Sequence, residues 1–168
     1  MSAYSPDGWG DLFMAAAGAN AALSGLIFVG LSVNIKDVLA IDQEEGHNVL
    51  TGRAIEALVA LLAMLLVSLV GLVPHIGRGP LAAFVLAAAA FTVVAPGLAV
   101  RTHRGEPTPR TMLLRLALDV LFTGSLLLAG TTLAAGAGGG LDWLPVAFVL
   151  AVVIAAVNAW VLLVEILR

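Results

Sequence analysis

GANAALSGLIFVGLSVN, residues 18–34, combines two properties that rarely share a helix. It is apolar enough to enter a bilayer, yet Asn20, Ser24, Ser32 and Asn34 stand among the small residues Gly18, Ala21, Ala22, Gly25 and Gly30. A helix that only had to dissolve in lipid would hold more Leu and Ile. At about 3.6 residues per turn, Ala21, Gly25, Phe28 and Ser32 share one face and Asn20, Ser24 and Ile27 the adjoining one, so close backbone approach is offered beside hydrogen-bonding groups. The stretch therefore predicts a membrane helix packed on other helices, with Gly18, Ala21, Ala22, Gly25 and Ser32 as the candidate packing face.

The rest of the chain has the same solvent in view. It is 61% hydrophobic and 11% charged, with a mean hydropathy of +1.06, against about 25% charged residues in soluble domains. Its 168 residues leave room for several spans of about 20 residues each, and a folded domain outside the bilayer is not expected among them. The expected fold is all-α, a polytopic transmembrane helical bundle forming a single domain. The net charge of -3 is confined to segment ends and loops and points to no nucleic-acid partner. Cys is absent, which removes disulfides, thiolate nucleophiles and Cys-based metal sites. Arg outnumbers Lys seven to one amid abundant Ala, Gly and Val, a usage associated with high-GC bacteria. No Lys or Arg precedes the first apolar segment, so that segment is expected to be retained rather than cleaved as a signal peptide.

Five spans are predicted, at about 11–35, 54–73, 80–100, 112–135 and 143–167. Between the first two, Asp42 and Glu45 have capping-box spacing, which predicts a helix beginning there and running into the second span. Pro74 is expected to end that span, and Pro96 to kink the third. The basic stretch RTHRGEPTPR, residues 101–110, is expected to be extended because of Pro107 and Pro109. GAGGG, residues 136–140, lacks the Lys and the spacing of a phosphate-binding loop and predicts a flexible turn. Lys36, Arg53, Arg101, Arg104, Arg110, Arg115 and Arg168 fall on one side of the predicted membrane and Arg78 alone on the other. The positive-inside rule then places the N-terminus outside and the C-terminus in the cytoplasm, with Trp9 and Trp143 both at the outer interface.

The outlier within the spans is Asp119. An ionised carboxylate at membrane depth costs on the order of 2.5–3.5 kcal/mol unless it is paired, hydrated or protonated. Two readings are open: a structural ion pair with Arg115 one turn earlier, helped by Thr123 one turn later, or a proton or cation site. Counting inward from the cytoplasmic ends places Asn34, Glu56, Arg115, Asp119, Asn158 and Glu165 in the inner half of the membrane, as a candidate intramembrane polar cluster. Glu56 and Glu165 have the alternative of snorkelling to the interface. His47, His75 and His103 form no ligand pair by spacing, and neither a nucleophile with its base nor a cofactor motif is visible. No catalytic, cofactor or metal site is expected.

The segment WGDLFMAAAGANAALSGLIFVGLSVNI, residues 9–35, resembles the start of small multispan integral membrane proteins common in actinobacteria. There a Trp and an Asp-Leu-Phe precede an Ala/Gly-rich helix with a Gly-Leu-x-Phe-Val core and a Ser-x-Asn exit. Trp9, Asp11, Leu12, Phe13, Gly25, Leu26, Phe28, Val29, Ser32 and Asn34 carry the likeness here. The family is of uncharacterised function, and some members are named modulators of FtsH protease, a membrane-bound ATP-dependent protease. The resemblance implies a regulatory role and brings no catalytic or binding residues.

The function expected is that of a non-enzymatic protein of the bacterial plasma membrane, with the lipid bilayer and other membrane proteins, or copies of itself, as partners. The alternative is a homo-oligomeric ion or proton channel or transporter built around an intramembrane carboxylate. The two differ in what Asp119→Asn does: ion flux changes only in the second.

Overall fold

In a computed structural model that describes residues 3–6, 8–45, 49–100 and 109–166, the chain forms five long helices, with no strand among those residues. Side chains are described for the same residues other than 44, 45, 49, 96–100, 109–111, 165 and 166. The helices are α1 (Gly10–Glu45), α2 (Val49–Gly71), α3 (Arg78–Val100), α4 (Pro109–Ala135) and α5 (Leu144–Ile166), the last entered through a 3-10 helix, Gly140–Trp143. All five are long and apolar enough to cross a membrane. Leu26, Val33, Leu113 and Trp160 are more than half exposed, as are many other large apolar side chains, far beyond the isolated patches of a soluble monomer. Lipid is the solvent that makes such a surface stable.

α2 is the most buried span and the centre of the bundle. It packs on α1, α3 and α5, while α3 meets α4 and α4 meets α5 around it. α4 makes no close backbone approach to α2 among the described residues. One apolar core joins Met64 and Val67 of α2 to Phe13, Leu81, Phe122, Leu126 and Phe148 from the other four helices. Between helices in lipid the gain comes from close packing rather than from leaving water. Gly71 shows how tight that packing is: a Cβ there would stand 2.7 Å from the Phe13 ring.

Several boundaries differ from the sequence expectation, each for a physical reason. α1 does not end near residue 35. It continues to Glu45, and at about 1.5 Å per residue the whole helix is roughly 54 Å long, well beyond a hydrocarbon core of about 30 Å. Val38 carries the apolar stripe onward, packing with Leu50 and Ala54 of α2 and Leu162 of α5. Asp42 consequently lies inside α1 and starts no helix of its own. Its carboxylate instead caps α2 from across the connection, accepting the backbone N–H groups of Leu50 (3.0 Å) and Thr51 (3.2 Å) and the Thr51 hydroxyl (2.6 Å). Those N–H groups are among the donors that a helix start leaves unsatisfied.

α2 stops at Gly71, ahead of Pro74, and His75 turns the chain with a φ of 59°. α3 begins at Arg78, so Pro80 sits in its first turn, where a missing N–H costs nothing, and the helix runs on through Pro96 to Val100. α4 likewise opens on Pro109, whereas residues 101–108 of the basic stretch lie outside the described residues. The glycine run is a built turn rather than a slack one. Gly136, Gly138, Gly139 and Gly140 all have positive φ, and hydrogen bonds fix the run on both sides. Gly140 N–H meets the Thr132 hydroxyl, Gly139 N–H the Tyr4 hydroxyl and Leu141 N–H the Ala3 carbonyl. The chain start, the α3 start through Arg78 and the α4–α5 turn thereby share one end of the bundle.

Candidate functional site

The opposite end of the bundle holds the polar side chains. Because α2 and α4 stand apart there, long residues rather than small ones fill the gap between them. Arg115 of α4 reaches across to Glu56 of α2, its Nε donating to Oε2 at 2.7 Å and its terminal nitrogen closing on the same oxygen. Where the sequence suggested a partner within α4, Asp119, the ion pair seen for Arg115 runs between helices, to Glu56. Asp119 lies on the other side of Glu56, and the two residues line one cavity. Arg115 therefore offsets the charge of Glu56, and removing either member of that pair leaves the other uncompensated away from water.

Two small cavities flank Glu56. One, of about 20 Å³, is lined by Glu56 and Asp119 together with Thr92 of α3 and Thr123 of α4; that is room for about one water molecule. Thr92 donates to its own Ala89 carbonyl at 2.8 Å, so the 3.1 Å contact between the two hydroxyls is donated by Thr123. Thr123 thus donates to Thr92, not to Asp119 as the sequence suggested. The other cavity, of about 100 Å³, opens between α4 and α5 and has Arg53, Glu56, Arg115 and Asn158 on its polar side. There Arg53 donates a long hydrogen bond of 3.4 Å to the Asn158 side-chain oxygen.

Of the six residues placed in the polar cluster from the sequence, Glu56, Arg115, Asp119 and Asn158 come together. Asn34 does not join them. It lines a separate apolar groove between α1 and α5, and its amide donates to the Gly30 carbonyl one turn back, which satisfies it within its own helix. The side chain of Glu165 lies outside the described residues. Arg53 and Thr92 belong to the site but were not placed in it. Arg53 had a signal, Glu56 three positions on; Thr92, a single hydroxyl in an Ala- and Val-rich helix, had none. Among the described residues no three His, Asp or Glu side chains gather as a metal would require.

The second candidate surface is the small-residue face of α1, and here the packing expectation needs correcting. α1 packs on the bundle through Phe13, Ala16, Asn20, Ser24, Val38 and Asp42, all buried. This is the face adjoining the predicted one. Large apolar residues at both ends of that stripe draw it inward, and turning inward also takes Asn20 and Ser24 away from lipid. Gly18, Ala21, Ala22, Gly25 and Ser32 point outward and are exposed. A Cβ added at Gly18, Gly25 or Gly30 would meet nothing within 4 Å, the reverse of Gly71. Comparison with family models, with curated proteins and with solved structures finds no match to this chain, so the resemblance carried by residues 9–35 stands on those residues alone.

Proposed function

We propose that this chain is a non-enzymatic, multi-pass protein of the bacterial plasma membrane that binds, and through binding regulates, other membrane proteins by the outward small-residue face of α1. The observation that carries the proposal is the outward placement of Gly18, Ala21, Ala22 and Gly25 beside open space. Small residues let two backbones come close enough for van der Waals contact and weak C–H···O bonds, which is what associates helices in lipid. Facing lipid tails alone, they serve no packing purpose that Leu would not serve better. The occupant is a transmembrane helix of another protein. The positive-inside rule sets the N-terminus outside and the C-terminus in the cytoplasm, so the Asp42 end of α1 extends on the cytoplasmic side.

The test is co-purification from native membranes with wild type and Gly25→Leu. A Leu at that position adds bulk where the partner backbone belongs and meets nothing within its own chain, so the variant folds and loses its partner. Retention of the same partner by Gly25→Leu would overturn the proposal.

A second reading, a homo-oligomeric ion or proton channel, is favoured by one observation: Glu56 and Asp119 share a cavity large enough for a water molecule inside the candidate spans. It requires ion or proton flux in liposomes that Asp119→Asn alters, and an impermeable wild type rules it out.

A further inference from the structure

We infer that the apolar groove between α1 and α5 holds one acyl chain of a membrane lipid, drawn from the leaflet on the side of the charged cluster. The groove is a different surface from the outward small-residue face of α1. α1 and α5 run in the same direction: Ile27 packs against the cluster of Ala57, Leu61 and Ala155, and farther toward the charged end Val38 packs with Leu162. Beside those contacts the two helices leave a trough, because Gly30 on one wall and Ala155, Ala156 and Ala159 on the other are too small to fill it. A Cβ at Gly30 would meet nothing within 4 Å.

Length, volume and polarity agree on the occupant. The lining runs from Leu23 to Asn34 along α1 and from Val152 to Leu163 along α5, which is roughly 16 Å at about 1.5 Å per residue and close to one leaflet of a hydrocarbon core about 30 Å thick. On α5 it starts at the middle of the candidate span Gly140–Val164 and stops at its end, so the trough belongs to a single leaflet. Its volume is about 310 Å³. An apolar cavity of about 150 Å³ takes a benzene ring, so this one has room for on the order of a dozen carbons. A helix of the same length and about 10–12 Å in diameter needs on the order of 1,500 Å³. A second protein helix can therefore cover the trough but not fill it, whereas a lipid chain fills it. Asn34, the one polar side chain among the described lining residues, stands at the end nearest the headgroups. An amide has two N–H donors; one of them goes to the Gly30 carbonyl, and the other is placed for the ester carbonyl at the head of the chain. No charged side chain is among the described lining residues, so recognition is of the hydrocarbon rather than of the headgroup.

The experiment is native mass spectrometry of the full chain released from mild detergent. The probes are hexadecanoyl- and hexanoyl-lysophosphatidylcholine, which share a headgroup and differ only in chain length. Wild type retains one hexadecanoyl probe per chain and none of the hexanoyl probe. Gly30→Leu and Ala156→Leu, which set side chains inside the trough, each lower that occupancy about tenfold, the size of loss that over-filling a packed apolar site brings. Gly25→Leu, on the outward face of α1, keeps the wild-type occupancy even where it releases a protein partner, so lipid binding and partner binding are lost separately. Should one groove variant fail to fold, the other decides the matter. Equal retention of the two probes would mean that the headgroup is what binds. Hexadecanoyl occupancy that neither groove variant changes would put the lipid elsewhere on the bundle, and loss of a protein partner from the groove variants with no lipid retained by wild type would make the groove a protein contact. Each of these results overturns the inference.

Discussion

Glu56 is the residue on which the buried electrostatics turn. It accepts from Arg115, faces Asp119 and borders both polar cavities. A buried ion pair adds little net stability when formed, but breaking it from one side is costly because the remaining charge has no water to retreat to. Arg115→Gln is therefore expected to cost about 3–5 kcal/mol in denaturant unfolding from detergent, and the double variant Arg115→Gln/Glu56→Gln to recover most of it. A double variant as unstable as the single one would mean that the pair is not what holds these helices together. Part of this unit was legible in the sequence, because charges inside apolar spans are few and Asp119, Arg115 and Glu56 stand out by depth alone. Their partners were not. Spacing along one helix suggested Arg115 with Asp119, whereas the link from α4 to α2 depends on how far apart those helices pack, which no local pattern encodes. Asn34 was misplaced for a related reason: a polar residue satisfied by its own helix has no need of a cluster.

At the scale of elements, α1 and its connection to α2 depart most from a reading by hydropathy. The apolar run weakens after Ile35, so a span boundary is drawn there, yet Val38 continues the buried stripe and the helix extends with it. Asp42 then does for α2 what a residue of α2's own N-terminus would ordinarily do. Replacing it with Ala removes both carboxylate acceptors at once. The expected loss is about 0.5–2 kcal/mol, the range for an N-cap, with faster hydrogen exchange at the Leu50 and Thr51 amides. Unchanged exchange at those two amides would show that the cap is not made. Two adjoining faces of residues 18–34 were both plausible packing surfaces, and the sequence window by itself contains nothing that separates them. Phe13 and Val38, outside that window, select the Asn20–Ser24 side. Gly71 and Gly25 make the distinction concrete: one touches an aromatic ring and the other touches nothing.

For the whole molecule, the number and order of helices follow from composition and hydropathy, and the bundle's two ends differ in kind. One is closed by the Tyr4, Arg78 and Gly139 contacts; the other carries the charged cluster. The positive-inside rule, applied to the sequence, proposes that the charged end faces the cytoplasm. That orientation can be read in a chain whose native sequence holds no Cys, because a single Ala137→Cys in the exposed α4–α5 turn gives a background-free label. A membrane-impermeant maleimide is expected to modify it in intact cells, and labelling only after permeabilisation would reverse the orientation.

Whether α1 presents a binding face to a different protein is decided by the mass and subunit composition of the complex released gently from native membranes. This chain is expected together with a distinct, larger membrane protein. A symmetric assembly of this chain alone would contradict it and turn attention to flux through the Glu56–Asp119 site.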